Sequence, residues 1–534
     1  MSRVQIVFTA LMFIVLSISK TSSDIYTSSK KIEDMVILEE ALLNQLHSDV
    51  SNLGDENLMS YFTEFYSNRL RKAKEQQTAA NLQDYLKHPN GVYHSIKQFA
   101  AEYKGIRSLL NSSPSVSKHL NGIATEDDLA GARRSFLRLQ TVYGFEPSEM
   151  VKGEYLGYSG PGLSVLDAFQ VGQTAFAEGE INASISWLNA TYDLKRSQSP
   201  GSSEYPSEGQ ILALLGRAYL RLNEDNRALE LYKKAYISDP TNGDVFELNK
   251  ELVTKPRAAP KEKNLSEQNF ARLCALQNKP TAGPFDGRHV CFYRPAVSAP
   301  YYRFKQEVLS ISPYVALFYD VLSDKEGQDI VDIARGKLNR GTVERSGSSI
   351  HNEGRTSDLS FIFDKESELV KQLGKRVGAI TGLDTSQDPS GFPYVGEPFQ
   401  VVNYGMGGHY GVHLDPFDEV ARKNNAKVMA DSGNRLATFL IYLSDVEKGG
   451  STAFVNADIV VQPVKNMALF WYSFTPAGDL DEKTFHAGCP VVVGHKWVTN
   501  KWIWTYGNTF TRRCGLRKTS TQIDIDKYMI HGWA

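Results

Sequence analysis

Two histidines, an aspartate and a lysine near the C-terminal end of the chain carry the sharpest chemical signal. His413-Leu414-Asp415 is an H-x-D triplet, and His486 lies far downstream of it. On a strand, residues i and i+2 point to one face, so His413 and Asp415 can ligate one ion together. A histidine from a distant strand would complete two imidazoles and one carboxylate on one face of an octahedron. Such a face leaves open positions and is the arrangement of non-haem Fe(II) oxygenases. Taken alone, H-x-D has a plainer alternative, a solvated turn or a satisfied core histidine. Lys496, which opens the apolar run beginning at Trp497, adds a cation. A dicarboxylate chelating iron through its keto-acid end needs a fixed cation for its far carboxylate, a bond worth about 1.5–3 kcal/mol. The plainer alternative there is an exposed hairpin lysine.

These side chains need a rigid β scaffold, and the surrounding texture supplies one. Short β-rich runs cover Phe399–Tyr404, Leu436–Leu443, Ile459–Val464, Ala468–Tyr472, Val491–Val493 and Trp497–Tyr506, punctuated by Lys448-Gly449-Gly450 and Gly494. Strands at this spacing predict a sandwich or jelly roll, with helices around Gln328–Lys337 and Ser367–Thr381 packed outside.

Upstream the pattern is helical. Val92, Ile96, Phe99, Tyr103, Ile106 and Leu110 alternate steps of four and three, an a/d seam of either a helical bundle or a self-association module. Leu129, Ala132, Phe136 and Leu139 repeat it, with Thr125 as the expected cap. Leu215-Gly216, Tyr219, Ala228, Tyr232, Ala235 and Pro240 sit at the offsets of a tetratricopeptide unit, and Gly172, Phe176 and Trp187 form a partial earlier copy. Such paired helices present a groove for an extended peptide, with a purely structural role as the alternative.

The 534 residues suggest three or four domains. A 41% hydrophobic and 22% charged composition excludes a largely disordered chain, and a net charge of −2 gives no electrostatic reason for a nucleic-acid or anionic-membrane partner. Arg3 and the apolar Val4–Ile18 read as a cleaved signal peptide, with a signal anchor second; no later run is long enough to span a bilayer. In an oxidising lumen the four cysteines are readable as disulfides. Three pairings are possible, and the local one, Cys274–Cys291 with Cys489–Cys514, is expected over free buried thiols. Sequons at Asn111, Asn182, Asn189 and Asn264 fit a secretory route. The last residues, His531-Gly532-Trp533-Ala534, are not a luminal retention signal, so residence in the lumen would rest on a partner that carries one.

Longer ordered motifs then carry a resemblance. Glu126-Asp127-Asp128-Leu129, Arg138-Leu139-Gln140, the Cys274–Cys291 segment, Asn403-Tyr404-Gly405, Ser444-Asp445-Val446, Phe470-Trp471-Tyr472, His486-Ala487-x-Cys489-Pro490-Val491, Gly494-x-Lys496-Trp497-Val498 and Asn500-Lys501-Trp502 occur in sequence order. With them the chain resembles the animal collagen prolyl 4-hydroxylase alpha subunits over essentially its whole mature length. The resemblance implies a multidomain α + β protein. Residues 1–23 would be the signal peptide, 24–145 a helical dimerisation domain, and 146–253 a tetratricopeptide-like all-α domain binding peptide substrate. Residues 254–300 would be a linker with the Cys274/Cys291 loop, 301–514 a double-stranded β-helix (jelly roll) catalytic domain, and 515–534 a tail. It implies Fe(II) on His413, Asp415 and His486, and 2-oxoglutarate anchored by Lys496 with Tyr404 and, as a weaker candidate, Thr438. It also implies O2 as oxidant, L-ascorbate as reductant, and hydroxylation of peptidyl proline at C4 in proline-rich, procollagen-like chains. The expected partner is protein disulfide isomerase as beta subunit in an α2β2 tetramer, in the endoplasmic reticulum lumen. The alternatives are a luminal 2-oxoglutarate oxygenase on another peptide and a non-catalytic scaffold subunit. The chain departs from the family pattern at Phe361, His409, Leu414-Asp415-Pro416, Trp504-Thr505-Tyr506, and in the helix after Pro240, where Phe246 and Asn249 stand.

Overall fold

In the computed structural model, residues 25–522 are described except for 79–80, 111–117, 199–204, 255–264, 277–290, 297–300, 342, 346–347, 351–353, 388–394, 419–422 and 424–425. The signal-peptide stretch and the sequons at Asn111 and Asn264 lie outside the described residues. The chain divides into two compact units, one built on Lys31–Leu265 and the other on Ser266–Ala534 together with Thr27–Lys30.

The helical unit follows from apolar periodicity and local caps. Its main helices are α1 (Ser29–Ile37, from Lys31 onward in this unit), α2 (Glu39–Ser51), α3 (Glu56–Gln77), α4 (Pro89–Leu110), α5 (Glu126–Tyr143), α6 (Val165–Ala177), α7 (Ile181–Gln198), α8 (Glu208–Arg221), α9 (Asp225–Ser238) and α10 (Gly243–Thr254). Thr125 caps α5 in a reciprocal capping box with Asp128, and Gly144 closes that helix in the left-handed conformation at φ 69°. Every residue of the a/d seam on α4 is buried within the unit. That face therefore serves intrachain packing, and any contact between two copies must use another one. Inside this bundle the Arg69 guanidinium pairs with Glu39, contacts Glu102 at 2.7 Å and lies over Phe99 at 4.8 Å.

Helices α6 to α10 stack as consecutive hairpins. Gly216 makes the approach of α8 to α10 possible, because a Cβ there would meet the Leu248 side chain at 2.7 Å. Trp187 on α7 is fully buried, its indole N–H donating to Gln140 at 3.0 Å. On α8, Arg217 and Arg221 both pair with Glu251 of α10 and lie over Phe176 of α6. Asn182 and Asn189 are exposed on α7.

The second unit opens with α11 (Leu265–Ala275), so part of the expected linker is helical. The strands of its two larger sheets are β1 (Cys291–Pro295), β2 (Arg303–Ile311), β3 (Tyr314–Tyr319), β4 (Asn339–Arg340), β5 (Asp358–Ile362), β6 (Phe399–Tyr404), β7 (Tyr410–His413), β8 (Arg435–Tyr442), β9 (Thr452–Phe454), β10 (Ile459–Val461), β11 (Ala468–Tyr472), β12 (His486–Gly488) and β13 (Lys496–Trp504). Among the described residues nine of them form one antiparallel sheet in the order β1-β2-β3-β11-β8-β13-β6-β5-β4, and β7-β12-β9-β10 form a second sheet. Alternation splits each central strand between two cores. Phe399, Val401, Phe439 and Ile441 join the layer covered by α12 (Asp324–Arg335) and α13 (Glu368–Thr381). Val402, Tyr404, Leu440 and Tyr442 face inward with Phe454 and Val461 of the second sheet.

The cysteines depart from the expected local pairing. Cys274 is bonded to Cys489, with Cα atoms 5.6 Å apart, while Cys291 and Cys514 are exposed and free. Cys274 sits near the buried end of α11, and Cys489 is held in the connection after β12 by a backbone bond to Ser451 at 2.8 Å. Proximity in space outweighs proximity in sequence here: Cys291 lies on edge strand β1, its side chain turned to solvent. Among the described residues no helix is long and apolar enough to cross a membrane.

Candidate active site

β7 and β12 run antiparallel, and His413 and His486 are direct cross-strand partners. Their rings lie 4.3 Å apart between centroids, which is how two residues remote in sequence come to share one site. Strand β7 ends at His413, so Asp415 is delivered by the turn that follows rather than by strand alternation. Tertiary contacts hold that turn. The Thr438 hydroxyl on β8 donates to Asp415 Oδ2, and Arg435 Nη1 donates to the Asp415 carbonyl at 3.3 Å. His413 Nε2 and His486 Nε2 each stand 3.8 Å from an Asp415 oxygen, and one ligand atom from each of the three lies within 4.8 Å of the others.

Backbone hydrogen bonds orient both rings for a metal. His413 Nδ1 donates to the Gly411 carbonyl at 2.8 Å and His486 Nδ1 to the Thr484 carbonyl at 2.9 Å. Carbonyls only accept, so each Nδ1 carries a hydrogen and each Nε2 is the atom turned toward Asp415. Burial, reinforced by the neighbouring His486, pushes the His413 pKa down to about 3, keeping the ring neutral. Burial alone would raise the Asp415 pKa, but His486, His413, the Thr438 hydroxyl and Arg435 together hold it below the usual carboxylate value. Two imidazoles and one carboxylate, buried or nearly so, fit a divalent metal. Tyr410 stacks on His413 at 3.7 Å and Trp471 packs edge-on against His486 at 4.7 Å, fixing both rings.

Lys496 and Tyr404 are also cross-strand partners, on β13 and β6. Lys496 is buried, its Nζ 5.1 Å from the Tyr404 ring centroid. Burial lowers its pKa to about 7, and among the described residues no carboxylate pairs with it. Gly488 leaves room in front of the amine: a Cβ there would stand 3.7 Å from Nζ. A buried amine without a counter-ion, beside space left by a glycine, fits an anionic ligand. Thr438, expected on this pocket, directs its hydroxyl to Asp415.

The residues that support Asp415 were not legible as such in the sequence. Glu397 grips Arg435 with both oxygens, Nε–Oε1 at 2.6 Å and Nη2–Oε2 at 2.9 Å, and accepts the Trp504 indole N–H at 2.8 Å. Arg435 is sandwiched at 3.8 Å over Trp502 and 4.8 Å over Phe417. Their one signal was an arginine opening an otherwise apolar strand. Trp504, a departure from the family pattern, is thus a buried member of this clamp. His409, another departure, bonds through Nδ1 to the Thr356 hydroxyl at 2.8 Å. Glu397→Ala would strand the partly buried Arg435 charge. Thermal unfolding is expected to show a loss of about 3–5 kcal/mol, with weakened metal retention as Asp415 loosens.

A β-sheet unit holding two histidines and a carboxylate, with a buried lysine nearby, defines a 2-oxoglutarate-Fe(II) oxygenase, and residues 399–504 match the profile of the 2OG-Fe(II) oxygenase superfamily. Residues 28–157 match the profile of the prolyl 4-hydroxylase alpha-subunit N-terminal region. Human prolyl 4-hydroxylase subunit alpha-3 is 31% identical over 499 residues, covering 86% of this chain and 89% of that protein. Prolyl 4-hydroxylase subunit alpha-1 of Caenorhabditis elegans is 29% identical over 548 residues, 95% of this chain and 93% of that protein. A solved viral collagen prolyl hydroxylase from Paramecium bursaria Chlorella virus-1, in its 2OG complex, aligns at 25% identity and a TM-score of 0.28, covering 36% of this chain and 95% of its own. The chain belongs to the prolyl 4-hydroxylase alpha-subunit family and is an Fe(II)/2-oxoglutarate-dependent prolyl 4-hydroxylase. It joins a helical N-terminal region to a β-rich oxygenase domain, and Fe(II) and 2-oxoglutarate are the metal and co-substrate that family and triad imply.

Proposed function

We propose that this alpha subunit hydroxylates peptidyl proline to 4-hydroxyproline in collagen-like chains. In this reading His413, Asp415 and His486 hold Fe(II), Lys496 pairs with the distal carboxylate of 2-oxoglutarate, and Tyr404 lines the same pocket. The observation that carries it is the His413, Asp415 and His486 triad beside a buried Lys496 that has no counter-ion among the described residues, in a chain similar to alpha-3 subunits over most of its length. When bound, iron and 2-oxoglutarate supply the oxidation: O2 is consumed, the co-substrate becomes succinate and CO2, and one oxygen goes to proline C4. L-ascorbate would keep the metal reduced. The protein's part is orientation. The Nδ1 bonds of His413 and His486 aim their Nε2 atoms, Thr438 and Arg435 aim Asp415, and Tyr410, Phe454 and Trp471 wall the histidines from water.

The remaining regions take roles that the resemblance suggests. The β-sheet unit reads as a double-stranded β-helix, with two sheets enclosing Tyr404, Phe454 and Trp471 in support. The α6–α10 stack reads as the tetratricopeptide-like binder of extended, proline-rich peptide, supported by its hairpin packing. The N-terminal helices read as the dimerisation region of an α2β2 tetramer with protein disulfide isomerase. The endoplasmic reticulum lumen fits the leader-like N-terminus and the exposed Asn182 and Asn189 sequons. The test is co-expression with protein disulfide isomerase and 2-oxoglutarate turnover on a (Pro-Pro-Gly)n peptide. Mass spectrometry is expected to find 4-hydroxyproline in the parent and none in His486→Ala. Assembly without hydroxylation would reject this substrate class.

A further inference from the structure

Strand β6 places Phe399 and Val401 in the core covered by α12 and α13, and Val402 and Tyr404 in the inner core. The same alternation puts Asn403 on the helix-covered side, where its partners across the sheet are Asp358 on β5 and Trp497 on β13. Asn403 and Asp358 are both 0% exposed. Two adjacent buried polar side chains on an apolar sheet face need partners of their own. They come from the other end of the sequence. Thr27 Oγ1 donates to Asp358 Oδ1 at 2.6 Å and Ser28 Oγ to Asn403 Oδ1 at 2.6 Å. The Lys30 amide donates to the same Asn403 oxygen at 3.1 Å, and Asn403 Nδ2 donates to Ser29 Oγ at 3.0 Å.

The four residues are buried, and they belong to the same compact unit as the strands they touch. Their contacts surround the pairing of Tyr404 with Lys496. The Gly405 amide, next after Tyr404, donates to the Thr27 carbonyl at 2.9 Å, and Asn403 Nδ2 also reaches the Lys496 carbonyl at 3.4 Å. Gly405 then opens the turn leading to β7 and His413, accepting from the Gly408 amide at 2.9 Å. That turn has no slack: a Cβ on Gly408 would meet the Gly405 carbonyl at 2.8 Å and the Thr356 carbonyl at 2.9 Å.

We propose that Thr27–Lys30 is a positioning element of the co-substrate pocket, gripping Asn403, Asp358 and Gly405 so that Tyr404 and Lys496 keep their register and the β6–β7 turn keeps its path. The inference rests on the reading of Lys496 and Tyr404 as the 2-oxoglutarate site. It makes a short N-terminal segment part of an oxygenase site encoded at the far end of the chain.

The test uses the full chain assembled with its isomerase partner, comparing the parent with Ser28→Ala/Ser29→Ala, Thr27→Val and the conservative Thr27→Ser. Two hydroxyls are lost in the first variant, so its 2-oxoglutarate KM is expected to rise about tenfold while the peptide KM stays within about twofold. Amide exchange across residues 403–410, measured without iron or co-substrate, is expected to accelerate by a similar factor. Thr27→Val should shift the same two readouts and Thr27→Ser neither. An unchanged 2-oxoglutarate KM with unchanged exchange overturns the proposal. So does a uniform rise in exchange over the whole domain with all kinetic constants falling together, the mark of a merely structural segment. Lys496→Ala runs alongside. A shift there with none in the serine variant overturns the positioning role alone; no shift there overturns the pocket reading beneath it.

Discussion

His486→Ala is expected to abolish turnover, by at least about 10³-fold, the scale on which one catalytic group is removed. In the proposed site the histidine is one of three ligands, and its ring is buried between Trp471 and Phe454, at 4.7 and 5.7 Å. No other described histidine, cysteine or carboxylate joins His413 and Asp415 there. Iron retention after desalting should fall with activity, measured by metal analysis on the purified assembly. Assembly with the isomerase should survive, because the ligand lies within the β core. Full activity in this variant would remove the triad assignment.

Lys496→Ala is expected to raise the 2-oxoglutarate KM about ten- to a hundredfold, from loss of a charge-assisted bond worth about 1.5–3 kcal/mol. The pH dependence follows from the same residue. Burial lowers the Lys496 pKa to about 7, so without ligand the amine loses its charge as pH rises through neutrality. A carboxylate ligand prefers the charged form and would draw the pKa back up. The 2-oxoglutarate KM of the parent should therefore climb as pH rises above about 7, and that dependence should vanish in Lys496→Ala. Stability should move the other way: a buried amine lacking a counter-ion is costly, so Lys496→Met is expected to leave the melting temperature unchanged or raise it. A parent KM flat with pH, or a variant KM equal to the parent's, would assign the co-substrate anchor elsewhere.

Helix faces and caps were legible because their causes are local. Thr125 and Asp128 sit three residues apart and meet in one capping box, and the α4 seam repeats at helical spacing. The β6, β8 and β11 runs read clearly for the same reason, being rich in apolar residues and buried on both faces. The hairpin β2–β3 was harder to see. Its first strand alternates exposed and buried residues with Gln306 among the buried ones, and the Ser312-Pro313 turn was its only punctuation.

By itself the sequence determined which residues could hold a metal and a dicarboxylate: His413, Asp415, His486 and Lys496 are chemically specific types in a β-rich context. The tertiary structure alone decided how they meet. Strand pairing set His413 opposite His486 and Tyr404 opposite Lys496, while Arg435, Glu397 and Thr438 brought a turn-borne Asp415 to face them. The cysteine pairing and the docking of Thr27 and Ser28, 331 and 375 residues from their partners, were decided at the same level. The physical reason is range. Periodicity and capping are written within a turn or two of chain, whereas a buried polar group is satisfied by whatever folding brings beside it, at any distance in sequence.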